Sequence, residues 1–515
     1  MSLADILTLL FGMPGILVFL PLLGALGLLM APPKWSFRWT LAVALAVFAF
    51  SVPAWFAYGP GAEGVAYEVN LPWFGHVLGV EIRFHMGMDG LSLLLVLLTT
   101  FLTPLVVIAA PGHIRKREKE FCFWMLLMEA GMLGTFLALD IFLFYVFWEL
   151  MLVPLYFLIG IWGGPRRIYA AVKFFLYTLA GSLLMLAAII YLALYSAKTG
   201  ASPEGAPKAT LQVLELASRS PMAWTPQVLC FLAFTLSFAI KVPLFPFHTW
   251  LPDAHVEAPT SGSVILAGVL LKMGTYGMLR FCAPLFPQAF AYFAPWIMVL
   301  AVVGIVYGAL LAWAQEDMKK LVAYSSISHL GFVVLGIFAV TDTAMKGALL
   351  QMVNHGLSTG ALFLLVGMIY ERRHTRRIDD FGGIAKVMPV YAFFLMIATL
   401  AAVGLPGTNG FVGEFMILLG TFEKHPVFAV AGASGVVLGA LYMLSMIRRV
   451  LFGPLKNPAN RELKDIGWRE RGVLIPIAAL IFWIGVYPAP FLGRMDKTLR
   501  KIQQRIVNIH QAGGK

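Results

Sequence analysis

The chain has 515 residues, 60% of them hydrophobic and only 12% charged, whereas a water-soluble globule carries roughly a quarter charged residues. That balance excludes a soluble enzyme and requires an integral membrane protein. The net charge of +12 does not point to nucleic acid, because the basic residues fall in the joints between apolar runs, where cytoplasmic loops collect Lys and Arg.

Spanning helices need roughly 20 apolar residues. Such runs recur along the whole chain and are continuous rather than alternating, which predicts a helical bundle and not a barrel. Cut at charges and turn residues they amount to about fourteen spans, an all-α polytopic fold. Residues 1–118 supply three N-terminal helices; Asp5 is the only charge ahead of the first run, so that run reads as a retained helix rather than a cleaved signal. Residues 119–285 supply five more, 286–453 another five, and 454–515 the last helix and a tail.

Alternate joints differ in charge. One set holds Lys34 and Arg38, then Arg115, Lys116, Arg117 and Lys119, then Arg166 and Arg167, then Lys319 and Lys320, then Arg372, Arg373, Arg376 and Arg377. The other set is poor in cations, with Arg83, then Lys198, Lys208 and Arg219, then Arg280, Lys346 and Lys424, which places both termini outside. The tail disagrees, since it carries Arg494, Lys497, Arg500, Lys501 and Arg505. Either the helix count is off by one or the tail has a partner surface.

Two spans are interrupted. FTLSFAIKVPLFPFHTWLPDAH (Phe234 to His255) sets Lys241 against Pro243 and Pro246, and VGLPGTNGFVGEF sets Pro406 and several glycines against Glu414. Pro243 cannot donate to the carbonyl of Ala239, nor Pro246 to that of Val242, so free acceptors are expected to draw water to Lys241. The second break lies five spans after the first. A five-helix unit repeated in tandem reappears upside down because five is odd, the plan of two inverted repeats with ion half-paths meeting near the midplane.

Charges also lie inside the apolar runs. Glu149 (FWELMLVPLYFLIG), Lys241, Lys272 (GVLLKMGTYG) and Glu414 would each cost about 2.5–3.5 kcal/mol if left facing lipid, so they must face one another or water. A carboxylate gained or lost beside a desolvated lysine switches its proton affinity, and Glu149 is the candidate switch for Lys241. His329 (SSISHLG), His355 (QMVNHGLSTG) and His248 extend the series, because imidazole titrates near neutral pH; a histidine hydrogen-bonded for packing is the equal alternative. Glu129 poses the same choice one helix earlier. Asp253 and His255, in WLPDAHVEAPTSGS, read as caps of a loop or re-entrant turn. Cys122, Cys230 and Cys282 are scattered without a CxxC grouping, and there is no phosphate-binding glycine motif, which argues against a redox centre or nucleotide site in this chain.

These motifs, FWELMLVPLYFLIG, AIKVPLFPFHTWLPDAHVEAPTSGSVILAGVLLKMGTYGMLRF, EDMKKLVAYSSISHLG and GLPGTNGFVGEF, resemble the antiporter-like membrane subunits of respiratory complex I. The match is nearest to the M or chain 4 type, because sister types look lysine-bearing at Glu414. No long lateral helix is expected after the last span, which sets the chain apart from the L type. The resemblance implies fourteen helices in two inverted five-helix repeats, with Glu149 ion-paired to the central Lys241 and Lys272 as the connecting lysine. It also implies proton translocation in a bacterial inner membrane beside other complex I membrane subunits, driven by electron transfer from NADH through FMN and iron–sulfur clusters to quinone in partner subunits. A subunit of a multisubunit Na⁺/H⁺ antiporter is the nearest rival reading, a membrane hydrogenase subunit a weaker one, and a scaffold with buried charges for packing alone is the rival from another class.

Overall fold

The computed structural model describes residues 5, 9–77, 80–199, 210–218 and 222–513. The chain begins with two packed helices, α1 (Met13–Met30) and α2 (Ser36–Ala57). An antiparallel hairpin follows, β1 (Ala66–Val77) and β2 (Val80–Met88), with Asn70 opposite His85 and Leu71 opposite Phe84. The hairpin departs from the all-helical expectation. Its signal was present, since Val80, Ile82, Phe84, Met86 and Met88 recur at the strand period of two and all face inward.

Helices then alternate across the bundle: α3 (Leu93–Ala109), α4 (Glu118–Leu137), the pair α5 (Ile141–Leu150) and α6 (Leu152–Trp162), and α7 (Arg167–Thr199). After a short α8 (Val213–Ser218) come α9 (Trp224–Lys241), α10 (Trp250–Glu257) and α11 (Thr260–Leu285). The second half holds α12 (Pro287–Trp313), α13 (Met318–Phe338), α14 (Asp342–Arg373), α15 (Pro389–Val403), α16 (Asn409–Lys424) and α17 (Pro426–Leu451). The chain closes with α18 (Trp468–Val486) and α19 (Ala489–Gly513). Among the described residues twelve helices are long and apolar enough to cross a membrane, or thirteen with the bent pair α18–α19 taken as one. About fourteen is reached only if α15 and α16, each too short alone, make one crossing together.

Burial is uneven. The spanning windows of α11 and α14 are 100% buried and that of α13 is 94% buried, against 28% for α2 and 33% for α17. These three central helices are shielded from lipid by the rest of the bundle, and they carry Lys272, His355 and His329.

Both predicted breaks are present. α9 stops at Lys241, and the chain turns through Val242–Thr249 before α10. Of the two carbonyls expected to be freed, that of Ala239 is not left open: it accepts from Leu244 N at 2.8 Å, and the neighbouring Ile240 O accepts from Trp250 Nε1 at 2.8 Å. The turn's own backbone and an indole take acceptors beside Lys241 that water was expected to reach. The second break is a helix stop at Gly404, whose φ of +80° is a left-handed conformation that glycine adopts at no steric cost. Leu405 N then caps Leu400 O at 3.0 Å.

The basic tail also finds its explanation, because it is itself a helix. α19 has 25 residues and bends 69° away from α18. Phe491, Met495, Leu499 and Ile506 form its buried stripe, a helical spacing hidden among charges. Arg494 lies 3.6 Å from the Trp55 ring centroid and donates to Trp55 O at 2.8 and 3.0 Å. Lys497 pairs with Glu63 at 3.0 Å, Lys346 with Asp496, and Arg505 Nε donates to Pro284 O at 2.8 Å. The partner surface of the tail is this chain itself.

Candidate functional site

The centre of the bundle holds a row of polar side chains. Lys272, fully buried on α11, donates to Ala267 O and shares a 2.6 Å hydrogen bond with His355 Nδ1 on α14. The turn Leu266–Leu270 of α11 is a π-helix, and such widened turns displace the ordinary i→i+4 ladder. Its irregular carbonyls sit where the lysine ammonium needs an acceptor. The His355 ring lies 5.8 Å from that of His329 on α13, centroid to centroid. His329 Nδ1 is 2.8 Å from Glu414 Oε1 on α16, which also accepts from Gln351 Nε2 at 3.0 Å. Asn354 Nδ2 donates to Gln351 Oε1 at 3.2 Å and to Asn409 O at 2.7 Å at the start of α16.

Helix spacing explains the clustering. Gln351, Asn354, His355 and Ser358 stand at i, i+3, i+4 and i+7 on α14, and therefore on one face. Sequence reasoning singled out only His355; the polar stripe within an apolar span was the signal that could have found Gln351 and Asn354. α14 and α16 approach so closely that a Cβ on Gly347 would lie 2.8 Å from Ile417 N and 3.0 Å from Gly413 O. That contact brings Glu414 within reach of Gln351 and His329.

Lys241 and Glu149 lie apart from this row. Lys241 is 1% exposed, and its ammonium stands 5.0 Å from the Trp148 ring centroid and 5.6 Å from that of Phe174, without a hydrogen bond. Glu149, partly exposed on α5, is close enough to feel the charge of Lys241, but the two make no ion pair within 4.0 Å, and Glu149 Oε1 is also unpartnered. The expected ion pair is therefore not formed. Aromatic faces hold the cation instead, an attraction of about 0.5–2 kcal/mol.

His248 is not part of either group. It sits in the turn after Lys241, with ring centroids 5.7 Å from Phe245 and 5.5 Å from Tyr307. Glu129 is fully buried on α4 with neither carboxyl oxygen hydrogen-bonded, and stands outside the row. Asp253 pairs with Lys173 at 2.7 Å. Cys122, Cys230 and Cys282 are free and buried, and among the described residues no three His, Cys, Asp or Glu side chains gather as metal ligands.

One buried charge pair escaped sequence reasoning altogether. Arg280, counted as a joint cation, reaches back to Asp89 below the hairpin with two hydrogen bonds of 2.6 and 2.7 Å. Burial works to push the Asp89 carboxyl up, but the Arg280 guanidinium and the backbone N–H groups of Ser92 and Leu91 outweigh it and hold the carboxyl below its ordinary value.

Residues 138–439 match the family described as NADH:quinone oxidoreductase/Mrp antiporter, TM, and residues 13–139 that described as NADH-ubiquinone oxidoreductase chain 4, amino terminus. The NADH-quinone oxidoreductase subunit M of Rhodobacter capsulatus is 45% identical over 460 residues, 88% of this chain and 87% of that one. This chain belongs to the subunit M, or chain 4, family. A chain of respiratory complex I from Thermus thermophilus with bound NADH superposes with a TM-score of 0.84 at 33% identity, over 97% of this chain and 99% of that one. A chain of the Mrp complex from Dietzia sp. DQ12-45-1b has the same fold, with a TM-score of 0.78 at 21% identity over 98% of this chain and 100% of that one. Glu414 gives the end of the row an acid partner for His329.

Proposed function

We propose that this chain is a proton-translocating membrane subunit of a proton-pumping NADH:quinone oxidoreductase in a bacterial inner membrane, assembled beside other membrane subunits of that complex. Electron transfer from NADH through FMN and iron–sulfur clusters to quinone belongs to the partner subunits; this chain moves protons in response. The observation that carries the reading is the row Lys272, His355, His329 and Glu414, in which titratable groups succeed one another across four helices, three of them closed to lipid.

Each group in the row can give up and regain a proton, and each end is already hydrogen-bonded to a histidine. A proton on Lys272 Nζ passes along its 2.6 Å contact to His355, crosses to His329 on rotation of either ring, and reaches Glu414 along the 2.8 Å contact. Glu149 and Lys241 form the switch. Work against roughly 150 mV costs about 3.5 kcal/mol per proton, at about 2.3 kcal/mol per 100 mV. Two unit charges brought to about 4 Å at an effective dielectric near 20 interact by about 4 kcal/mol. Moving Glu149 into contact with Lys241 therefore supplies a change of the right size, and the separated pair seen here is the disengaged arrangement. His248 has no place in this route.

Two groups of five crossings support an inverted-repeat division at residues 119–285 and 286–453. In each group the fourth crossing is the broken one, α9–α10 in the first and α15–α16 in the second.

The test is Lys241→Ala in native membranes, with assembled complex, quinone reductase activity and pumping measured together. Normal assembly with lost pumping and slowed turnover is expected. Normal assembly with unimpaired pumping would leave the lysine a packing residue.

A further inference from the structure

His255 was read as a cap at a turn. It is instead fully buried near the end of α10, its ring stacked on Phe363 of α14 at 4.6 Å and 8°. Both ring nitrogens lack a hydrogen-bond partner. A histidine kept for packing ordinarily has one nitrogen anchored, because a buried polar group without a partner is costly. Here the flat face is held by Phe363 and both nitrogens are left idle.

What surrounds the ring gives that a direction. Close by is Lys319, counted in the sequence among the cytoplasmic joint cations but only 7% exposed. Its ammonium donates to Ala258 O at 2.6 Å and Val256 O at 3.3 Å, carbonyls three residues and one residue after His255; Arg376, paired with Asp317, also donates to Val256 O at 3.1 Å. His255 lies within electrostatic range of both Lys319 and Lys272, and His355 within range of His255. Glu257, on the same short helix, is also within electrostatic range of Lys319. His355 Nε2 is itself unpartnered.

We propose that His255 is a proton-relay residue joining Lys319, at the cation-rich face, to the Lys272–His355 pair, so that α10 is the entrance by which protons reach the row. The N–H bond of Lys319 breaks as one forms on a bare His255 nitrogen. That proton passes to His355 Nε2, and Lys319 recovers its own from cytoplasmic water. The assignment rests on the proposed proton row and adds a feed to it.

The experiment uses the whole complex in inverted membrane vesicles, with assembly, NADH-driven quinone reduction and pumping followed for four variants. His255→Phe keeps the stacked ring and His255→Asn keeps a small polar group; neither carries a titratable proton. Both are expected to assemble and to pump about ten-fold or more slowly, with the deficit widening as the pH on the cytoplasmic side is raised from about 6 to about 8. Lys319→Arg keeps the charge and the donors to Val256 and Ala258 but cannot release a proton, so it is expected to assemble and to pump as slowly. Lys272→Met reports on the row itself. If Lys272→Met loses pumping while the His255 and Lys319 variants pump at the wild-type rate at every pH, the entrance is wrong and the row stands. If Lys272→Met pumps normally, the row fails and the entrance with it. Failure of both His255 variants to assemble would make His255 structural and overturn the assignment.

Discussion

The contact between Glu414 and His329 is the sharpest place to perturb the row. Glu414→Gln keeps the size of the side chain and an oxygen for Gln351 Nε2, but removes the negative charge 2.8 Å from His329 Nδ1. Both side chains are almost fully buried, at 6% and 7% exposure, so water cannot screen the loss. A hydrogen bond to a charged group contributes about 1.5–3 kcal/mol, which at about 1.36 kcal/mol per decade is a roughly ten- to hundred-fold slower step through His329. Gln351→Leu removes only the neutral contact to the same oxygen, worth about 0.5–1.5 kcal/mol, and should slow pumping by no more than about ten-fold. The assay is the initial pumping rate per assembled complex in inverted vesicles, with quinone reduction measured in parallel. Gln351→Leu proving the more damaging of the two, or Glu414→Gln pumping at the wild-type rate, would refute the argument that charge at this position carries the proton step.

Other substitutions test the scaffold around the row. Arg280→Met should abolish assembly or cost about 3–5 kcal/mol, because it leaves the buried Asp89 carboxylate without its partner; thermal unfolding of the detergent-solubilised complex checks this. Asp89 is held below its ordinary value, so its stabilising contribution is present above the ordinary carboxylate value and is lost as pH falls through the depressed one. Asp140 behaves in the opposite sense. Its carboxylate caps α5 through Phe142 N and Leu143 N, yet burial pushes it up from 3.8 to about 6, so stability should decline as pH rises from near 4 through about 6. Asp140→Asn should flatten that dependence in pH-dependent melting, and Asp140→Ala should cost about 1 kcal/mol for the lost cap. Arg494→Ala should loosen α19 by about 1.5–3 kcal/mol, seen as earlier proteolytic cleavage of the C-terminal helix while the remaining helices stay protected.

The membrane class, the recurrence of spanning helices, both breaks and the in-membrane places of Glu149, Lys241, Lys272 and Glu414 followed from the sequence alone. Each depends on local chemistry: a run of apolar residues must cross lipid, a proline cannot donate, and a charge in oil must be explained wherever it lies. Pairing was another matter. Glu149 and Lys241 stand 92 positions apart in the chain, and nothing local says that Trp148 and Phe174 occupy the space where an ion pair was expected. Lys272 meets His355 across 83 positions and His329 meets Glu414 across 85, separations bridged only when α11, α13, α14 and α16 pack. Lys319 and Arg280 looked like loop cations because a count of charges per joint records sign and not burial; docking of α10 onto α13 and of Asp89 onto α11 put them inside. The tail gave the same lesson in reverse. Its charges hid a buried stripe, because a helix with one narrow apolar face reads as polar until a surface is present to cover that face.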